Sequence, residues 1–234
     1  MRKLTLLLLL YLTCLLLPAC AGPDAAPEPE ETAAAPEEPA LSYASSRQDA
    51  DGDQFAEFEM TVPQEIYDAF APEAALAVSH DLLAFAEAES GRWQEDQAAL
   101  RQQDPDLEAE FTVDLTLFYQ DGEIVSLTGS GYSYSSGAAH PQVYAYGFVY
   151  DADSGRRITM EQLLGEGWQE ELFPAVCEQA AASGAGYYQD LDTLLPLVFR
   201  EEGWYADKDS VYLVFNAAEI APYAAGTPCF RLPR

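Results

Sequence analysis

The chain has 234 residues and is strongly acidic, since 40 aspartates and glutamates stand against 11 lysines and arginines and give a formal net charge of −29. Such a surface repels nucleic acids and anionic lipid headgroups, and it attracts cationic partners in a salt-dependent way. The composition therefore argues against a nucleic-acid-binding protein, while the length allows one domain with a substantial core.

The N-terminal segment has the features of a bacterial secretory signal. Two basic residues precede an almost uninterrupted apolar run that ends at Leu17, and this run is shorter than the roughly 20 residues of a membrane-spanning helix. The following Pro18-Ala19-Cys20 completes a pattern that resembles the lipobox of bacterial lipoproteins, in which the cysteine carries the lipid. We therefore predict a signal peptide over residues 1–19 and lipidation of Cys20. A plain secretory signal cut nearby is the alternative.

An acidic tether is predicted to follow over residues 20–41. It is rich in proline, alanine and glutamate and has no aromatic residue, so it cannot bury enough apolar surface to fold. Its predicted role is to hold a folded domain away from the outer face of the membrane. That domain is expected over residues 42–234, with an N-terminal module over residues 42–109 and a larger part over residues 110–234.

The N-terminal module is predicted to contain one strand and one long helix. Phe55–Val62 alternates apolar and polar residues, as a half-buried strand does, and Pro63 ends it. A helical pattern begins at Pro72, which suits the first turn of a helix, and continues to about Gln103. The residues expected to anchor this helix in the core are Leu76, Leu83, Trp93 and Leu100.

A β-hairpin is predicted next, and its register has to be chosen. Phe111–Tyr119 is the clearest strand of the chain, and a second strand follows Gly122. A two-residue turn would pair Leu117 with Ser126, whereas a three-residue loop would pair Leu117 with Val125. The three-residue loop keeps apolar residues on one face and requires Gly122 at a left-handed position, so we predict that loop.

The rest of the chain is predicted to alternate between strands and helices. Thr159 and Gln162 have the spacing of a capping box, which predicts a helix over Met160–Leu164. A third strand is expected over Val143–Asp151, further helices over Glu170–Ala182 and Asp190–Glu201, and closing strands over Val211–Phe215 and Cys229–Leu232. This order predicts an α+β fold with a mostly antiparallel sheet and helices packed on it.

Tyrosines are concentrated on two neighbouring strands. Tyr132 and Tyr134 share a face of one strand, and Tyr144, Tyr146 and Tyr150 share a face of the next. Paired antiparallel strands are expected to present these rings as one aromatic face. That face is either core beneath helices or an exposed platform for a protein or a sugar, and both alternatives stay open.

No motif indicates catalysis, a cofactor or a metal. The glycine-rich stretch Gly129–Gly137 lacks the Gly-Lys-Ser/Thr ending of a phosphate-binding loop. His140 stands in a loop, and a single histidine cannot complete a metal coordination sphere. Cys177 and Cys229 could form a disulfide outside the cytoplasm or remain as two buried thiols.

Five segments of the second half of the chain form a recognisable set. They are Tyr132-Ser-Tyr-Ser-Ser-Gly-Ala-Ala-His140, Phe148-Val-Tyr-Asp-Ala-Asp-Ser-Gly155, Ile158-Thr-Met-Glu-Gln-Leu-Leu164, Val211-Tyr-Leu-Val-Phe-Asn216 and Glu219-Ile-Ala-Pro-Tyr-Ala-Ala-Gly226. Together they resemble the extracytoplasmic domain of RsiV-type anti-sigma factors, a domain that also accompanies PdaC-type peptidoglycan deacetylases. The resemblance extends roughly over residues 110–232. In RsiV this domain binds lysozyme and controls the release of a sigma factor.

The resemblance implies a binding or sensing module of the bacterial envelope; the lipobox pattern predicts that it is lipid-anchored, and the acidic charge predicts no nucleic-acid binding. Its expected partner is a cationic protein such as a lysozyme, or a cell-wall ligand. The candidate ligand-binding residues are Tyr134, Ser136, Gly137, His140, Tyr144 and Tyr146. An envelope hydrolase acting on peptidoglycan and a structural lipoprotein without a ligand are the alternatives.

Overall fold

The computed structural model describes residues 40–234. The predicted signal peptide, the predicted lipidation site Cys20 and nearly all of the predicted tether lie outside these residues. Among residues 40–234, no helix combines the length and the apolar character needed to cross a bilayer.

A five-stranded sheet forms the larger part of the structure. Its strands lie side by side in chain order: β1 Leu41–Gln48, β2 Gln54–Val62, β3 Ala109–Gln120, β4 Ile124–Ser135 and β5 Gln142–Asp151. All neighbouring strands are antiparallel except β2 and β3, which are parallel. The parallel pair follows from the long helical connection between these two strands, because parallel neighbours need a crossover.

Five helices and a second, antiparallel sheet complete the α+β fold in residues 40–234, so the predicted fold class is confirmed. The helices are α1 Gln64–Asp68, α2 Pro72–Arg101, α3 Met160–Leu164, α4 Trp168–Ser183 and α5 Leu191–Val198. The second sheet contains β6 Trp204–Ala206, β7 Ser210–Val214 and β8 Cys229–Pro233, and a short 3₁₀ helix spans Tyr223–Ala225.

Helix α2 packs across one face of the large sheet, but with a different side from the one predicted. Trp93 is buried as expected, whereas Leu83 is half-buried and Leu76 and Leu100 are 58% and 45% exposed. The residues that do pack on the sheet include Val78, Leu82 and Ala86. The prediction was wrong for Leu76 and Leu100 because it followed the largest apolar residues, while polar residues such as Glu89 and Gln94 hold buried positions of the helix. The helix continues without interruption through Gly91.

A second core lies on the other side of β4 and β5. Ile124 and Val149 point away from α2 and join a buried cluster with α4, α5 and the second sheet. Gly147 permits this close packing, since a Cβ atom at this position would lie 2.3 Å from the carbonyl oxygen of Trp204. Strands β4 and β5 are therefore covered on both faces over part of their length, and this cluster contains no residue of β1 or β2.

The β3–β4 hairpin has a different register from the predicted one. Leu117 pairs with Leu127 rather than with Val125, and the register shifts at Phe118. The error was two residues on the partner strand as far as Leu117, so the side chains up to this residue keep their predicted face. Beyond the shift, Tyr119 pairs with Ser126 and packs against the second core, opposite to Leu117. Gly122 is not among the residues with positive φ, and the left-handed turn predicted for it is wrong.

Asp121 closes this turn instead of the glycine. Its Oδ1 accepts hydrogen bonds from the backbone N–H groups of Glu123 and Ile124, both at 2.8 Å, and its Oδ2 accepts one from the Tyr119 hydroxyl at 2.7 Å. These donors favour the ionised form and hold the pKa of the Asp121 carboxyl below its ordinary value. An aspartate at this place in a turn satisfies backbone groups that a tight hairpin would otherwise satisfy itself.

The other local signals gave correct elements. The capping box of α3 is present, with the Gln162 N–H donating to Thr159 Oγ1 at 3.2 Å and the Thr159 N–H donating to Gln162 Oε1 at 2.9 Å. Helix α4 ends at Gly184, which adopts a left-handed conformation with φ of 68°. Strands β1 and β6 were not predicted: β1 is rich in serine and β6 has only three residues.

Candidate functional site

The two sets of strand tyrosines point to opposite faces of the large sheet. Tyr144 lies opposite Gly131, and Tyr146 lies opposite Gly129, so the β5 rings lie over glycines on the face that α2 covers. Tyr132 lies opposite Val143 and therefore points to the other face, as Tyr134 does. The expectation of a single aromatic face is wrong, because the pairing register places glycines, not tyrosines, beside the β5 rings.

Tyr146 belongs to the core. Its side chain is buried, and its hydroxyl donates a hydrogen bond to Glu89 Oε1 at 2.9 Å. Burial raises the pKa of the Tyr146 phenol far above its ordinary value. The structure does not support Tyr146 as a ligand contact, because no partner can reach this ring without displacing α2.

The β4–β5 loop, residues 136–141, carries three of the other candidates. The Ser136 N–H donates to the Glu108 carbonyl oxygen at 2.7 Å, and Ser136 Oγ accepts from the Glu108 N–H at 3.0 Å. Gly137 has φ of +84°, a conformation that a side chain would strain. Ser136 and Gly137 therefore set the shape of the loop rather than present free groups to a ligand.

His140 connects this loop to the C-terminal part of the chain. Its ring stacks on Tyr223, with ring centroids 3.9 Å apart and an angle of 25° between the planes. Its Nδ1 lies 3.0 Å from the carbonyl oxygen of Pro141. The imidazole remains exposed at the loop surface, and within residues 40–234 no nucleophilic side chain lies in hydrogen-bond reach of it as base catalysis requires.

One cleft lies between α2 and the β4–β5 loop, and we call it the helix cleft. It has a volume of about 270 Å³. Asp96, Leu100, His140 and Tyr144 are among its lining residues. Tyr144 is half-buried, and both its desolvation and the neighbouring Asp96 carboxylate raise the pKa of its phenol. This arrangement offers a carboxylate, an imidazole and an aromatic ring to a ligand.

A second cleft opens on the opposite face of the sheet, and we call it the acidic cleft. It has a volume of about 430 Å³ and is lined by Gln54, Phe55, Glu57, Glu108, Ala109, Glu110, Tyr134 and Ser136. Glu57 and Glu110 are register partners on the parallel strands β2 and β3. None of the ion pairs found in residues 40–234 includes any of the three glutamates, so the cleft presents uncompensated negative charge.

A polar anchor holds the C-terminal segment against the edge of β5. Asn216 Oδ1 accepts hydrogen bonds from the Ala145 N–H at 3.0 Å and from Arg200 Nη2 at 2.9 Å. Glu219 in turn accepts from the Asn216 backbone N–H at 2.7 Å and from its Nδ2 at 2.9 Å. The anchor brings Tyr223 to His140, and it is the reason that two segments distant in sequence form one surface.

Part of the chain is similar to a known protein family. Residues 162–234 match the model of DUF3298, a family described as a protein of unknown function. This matched segment begins inside α3 and contains α4, α5 and the second sheet, so it includes Asn216, Glu219 and Tyr223 but not the β4–β5 loop.

Two solved DUF3298 structures are similar to the chain. A member of the family from Bacteroides fragilis NCTC 9343 is 12% identical with a TM-score of 0.45, and the match covers 82% of this chain and 88% of that chain. A DUF3298 family protein from Pseudomonas aeruginosa PAO1 is 17% identical with a TM-score of 0.49, over the same shares of the two chains. No curated protein matches the chain.

Both cysteines beyond the predicted anchor, Cys177 and Cys229, lie in the matched segment and are free thiols. Cys177 is half-buried, and burial raises the pKa of its thiol. Cys229 is exposed, with its Sγ 3.5 Å from the Tyr205 hydroxyl. Neither the disulfide nor the pair of buried thiols describes this arrangement. Within residues 40–234, no group of three or more His, Cys, Asp or Glu side chains could hold a metal ion.

Sequence reasoning overlooked three residues of this region. Asp96 and Glu108 gave no signal, because 40 acidic residues make any single carboxylate unremarkable. Tyr223 stands in the C-terminal segment that carried the family resemblance, so its part in the site could have been suspected from that segment.

Proposed function

We propose that the chain is a lipid-anchored binding module on the outer face of a bacterial membrane, and that it recognises a cationic wall-degrading protein of the lysozyme type. The observation that carries this proposal is the negative charge beside the β4–β5 loop, where three glutamates line one cleft and none of them belongs to an ion pair found in residues 40–234. The proposed anchor rests on Cys20 and the segment before it. A cell-wall ligand is the other occupant that these surfaces could receive.

Charge supplies the physical basis for the choice of a cationic partner. The formal net charge of −29 produces a field that draws basic proteins toward the module and raises their association rate. The attraction falls with added salt, because the Debye length is only about 8 Å at physiological ionic strength. Attraction alone is non-specific, so recognition has to come from the shape and the aromatic groups of the surface.

The direct test measures binding of the full chain, purified in detergent, to hen lysozyme at low and high ionic strength. We expect the association rate to fall by about tenfold or more as salt is added. Cytochrome c, a basic protein that does not act on cell walls, is the matched control. The proposal is wrong if lysozyme does not bind at low salt, or if cytochrome c binds as tightly as lysozyme does.

The anchor has its own test. The Cys20→Ser chain should lose incorporation of labelled fatty acid and should no longer be processed before residue 20 when it is expressed in a bacterium. The Cys14→Ser chain, altered inside the apolar run, should be lipidated normally. A Cys20→Ser chain that is processed and retained in the membrane like the wild type would contradict the lipoprotein assignment.

A peptidoglycan hydrolase is the second candidate, and one observation favours it. Glu57 and Glu110 are side by side in the acidic cleft, and retaining glycosidases use two carboxyl groups about 5 Å apart. The full chain would then release soluble sugars from purified peptidoglycan, and Glu57→Gln or Glu110→Gln would abolish the release. Absence of any release from the wild-type chain would exclude this candidate.

A further inference from the structure

Within residues 40–234, one face of the large sheet is uncovered over β2, the first half of β3 and the second half of β4, and we call it the open face. The residues of β2 that point toward α2 are fully buried, whereas those between them, Glu57 and Glu59, are exposed. The same alternation continues in β3 and, from Ser130 onward, in β4. The exposed residues that form the open face are Glu57, Glu59, Glu110, Thr112, Asp114, Ser130, Tyr132 and Tyr134.

Two large aromatic side chains stand on this face. Tyr132 is 44% exposed and Tyr134 is 36% exposed, and they lie opposite Thr112 and Glu110 of the neighbouring strand. Tyrosine gives a binding surface a large, rigid contact area with a polar end, and it loses little conformational entropy when a partner orders it. The pair therefore offers two partly exposed rings as anchors for a protein partner.

The charges around the tyrosines indicate the kind of partner. Strands β2, β3 and β4 contain no lysine and no arginine. Glu57 and Glu110 are direct neighbours across two strands, an arrangement that destabilises a sheet when both are ionised. A basic patch on a partner would relieve that repulsion on binding, so the open face is complementary to lysine- and arginine-rich surfaces.

Charge also excludes the occupants that this chain could itself supply. A second copy would bring another formal charge of −29 to the face. The predicted tether is acidic and contains no lysine or arginine between residues 21 and 41. Both would be repelled, which leaves a cationic protein as the occupant that the face fits.

We propose that the open face is the docking surface for the cationic partner, with Tyr132 and Tyr134 as its anchors and the surrounding carboxylates as its charge complement. This inference rests on the proposed function and adds to it the surface that is used. It assigns the main contact with the partner to the β4 tyrosines. The helix cleft, with His140 and Tyr144, then contributes little to the affinity.

The decisive experiment compares three variants of the full chain for lysozyme binding. In the face variant, Tyr132→Ser is combined with Tyr134→Ser, and we expect the dissociation rate to rise by about tenfold or more, as the loss of two anchors does. In the cleft variant, Asp96→Asn is combined with His140→Ala, and we expect the dissociation rate to change by less than about twofold. The matched control is Tyr188→Ser, because Tyr188 is 38% exposed on a different part of the surface. This substitution should leave lysozyme binding unchanged.

Two charge variants distinguish electrostatic attraction, which affects the association rate, from the tyrosine contacts, which affect the dissociation rate. Glu57→Gln combined with Glu110→Gln should lower the association rate by about threefold and weaken its salt dependence, with little change in the dissociation rate. Glu171→Gln combined with Glu178→Gln, two exposed positions on α4, removes the same charge elsewhere and should have a smaller effect. Equal effects of the two charge variants would mean that net charge alone guides the partner.

The outcomes distinguish this inference from the function on which it rests. If lysozyme does not bind the wild-type chain, the proposed function is wrong and this inference falls with it. If it binds, but the cleft variant loses binding while the face variant does not, the function stands and the open face is wrong. Nitration of tyrosines in the wild-type complex gives an answer without substitution: bound lysozyme should protect Tyr132 and Tyr134, and unchanged nitration would overturn the inference.

Discussion

The tyrosines of β4 and those of β5 belong to neighbouring strands but have opposite environments. Tyr146 and Tyr150 are buried beneath α2, and their hydroxyls donate to the carboxylates of Glu89 and Asp81 at 2.9 Å and 2.8 Å. Tyr132 and Tyr134 stand in solvent on the other face. The same residue type is therefore a core residue with a specific carboxylate partner on one strand and a candidate anchor for another protein on the next.

The carboxylates that meet the buried tyrosines are themselves held in place. Asp81 also pairs with Arg157 at 2.7 Å, and Arg157 reaches Glu202 at 3.0 Å while lying over the Phe148 ring. Burial and the Asp81 carboxylate raise the pKa of the Tyr150 phenol well above its ordinary value, so it stays a hydrogen-bond donor at neutral pH. A polar network of this kind joins α2 to the sheet and to the C-terminal segment, and the open face has no counterpart to it.

The largest expected loss of stability distinguishes the buried tyrosines of β5 from the exposed tyrosines of β4. Tyr146→Ala removes a buried ring and leaves the Glu89 carboxylate without its donor, and we expect it to destabilise the fold by about 4 kcal/mol. Tyr134→Ala on the open face should change stability by less than about 0.5 kcal/mol. Urea denaturation of both variants checks this comparison, and similar midpoints would show that Tyr146 is not part of the core.

Substitutions at two glycines compare a closely packed position of the sheet, Gly147, with an open turn position, Gly122. In Gly147→Ala the new Cβ would meet the carbonyl oxygen of Trp204. Because the backbone of Trp204 cannot move without disturbing the second sheet, we expect the free energy of unfolding to fall by about 3 kcal/mol. Gly122 has open space around it and no positive φ. Gly122→Ala should therefore be neutral or stabilise slightly by restricting the unfolded chain. A larger loss at Gly122 than at Gly147 would contradict the structure of both regions.

The smallest expected effect concerns the turn that joins β3 to β4, and it depends on pH. Because its folded-state pKa is lowered, Asp121 contributes stability that is present above the ordinary aspartate pKa of about 4 and is lost as the pH falls through the folded-state value. Asp121→Asn keeps one acceptor oxygen but not the charge. The free energy of unfolding of the wild type should therefore exceed that of the variant by less than about 1 kcal/mol at neutral pH. Denaturation midpoints that differ as much in strong acid as at neutral pH would rule out a role for the charge.

Local signals were sufficient where a short stretch of chain determines its own conformation. The alternation in Phe55–Val62 predicted β2 because one face of that strand must enter the core. The capping box of Thr159 and Gln162 predicted α3 because both hydrogen bonds close within one helical turn. The order of such elements was enough to predict the α+β class, and the N-terminal segment was enough to raise the lipoprotein hypothesis, which stays a prediction.

The tertiary structure alone decided which surfaces are exposed. Three features depend on strands and helices that are distant in sequence: the register at Phe118, the glycines opposite Tyr144 and Tyr146, and the buried side of α2. A pattern with a period of two shows that alternate residues share a face, but it does not show which face a helix will cover. That choice is made when the whole chain packs, and it places Tyr146 in the core and Tyr134 in reach of a partner.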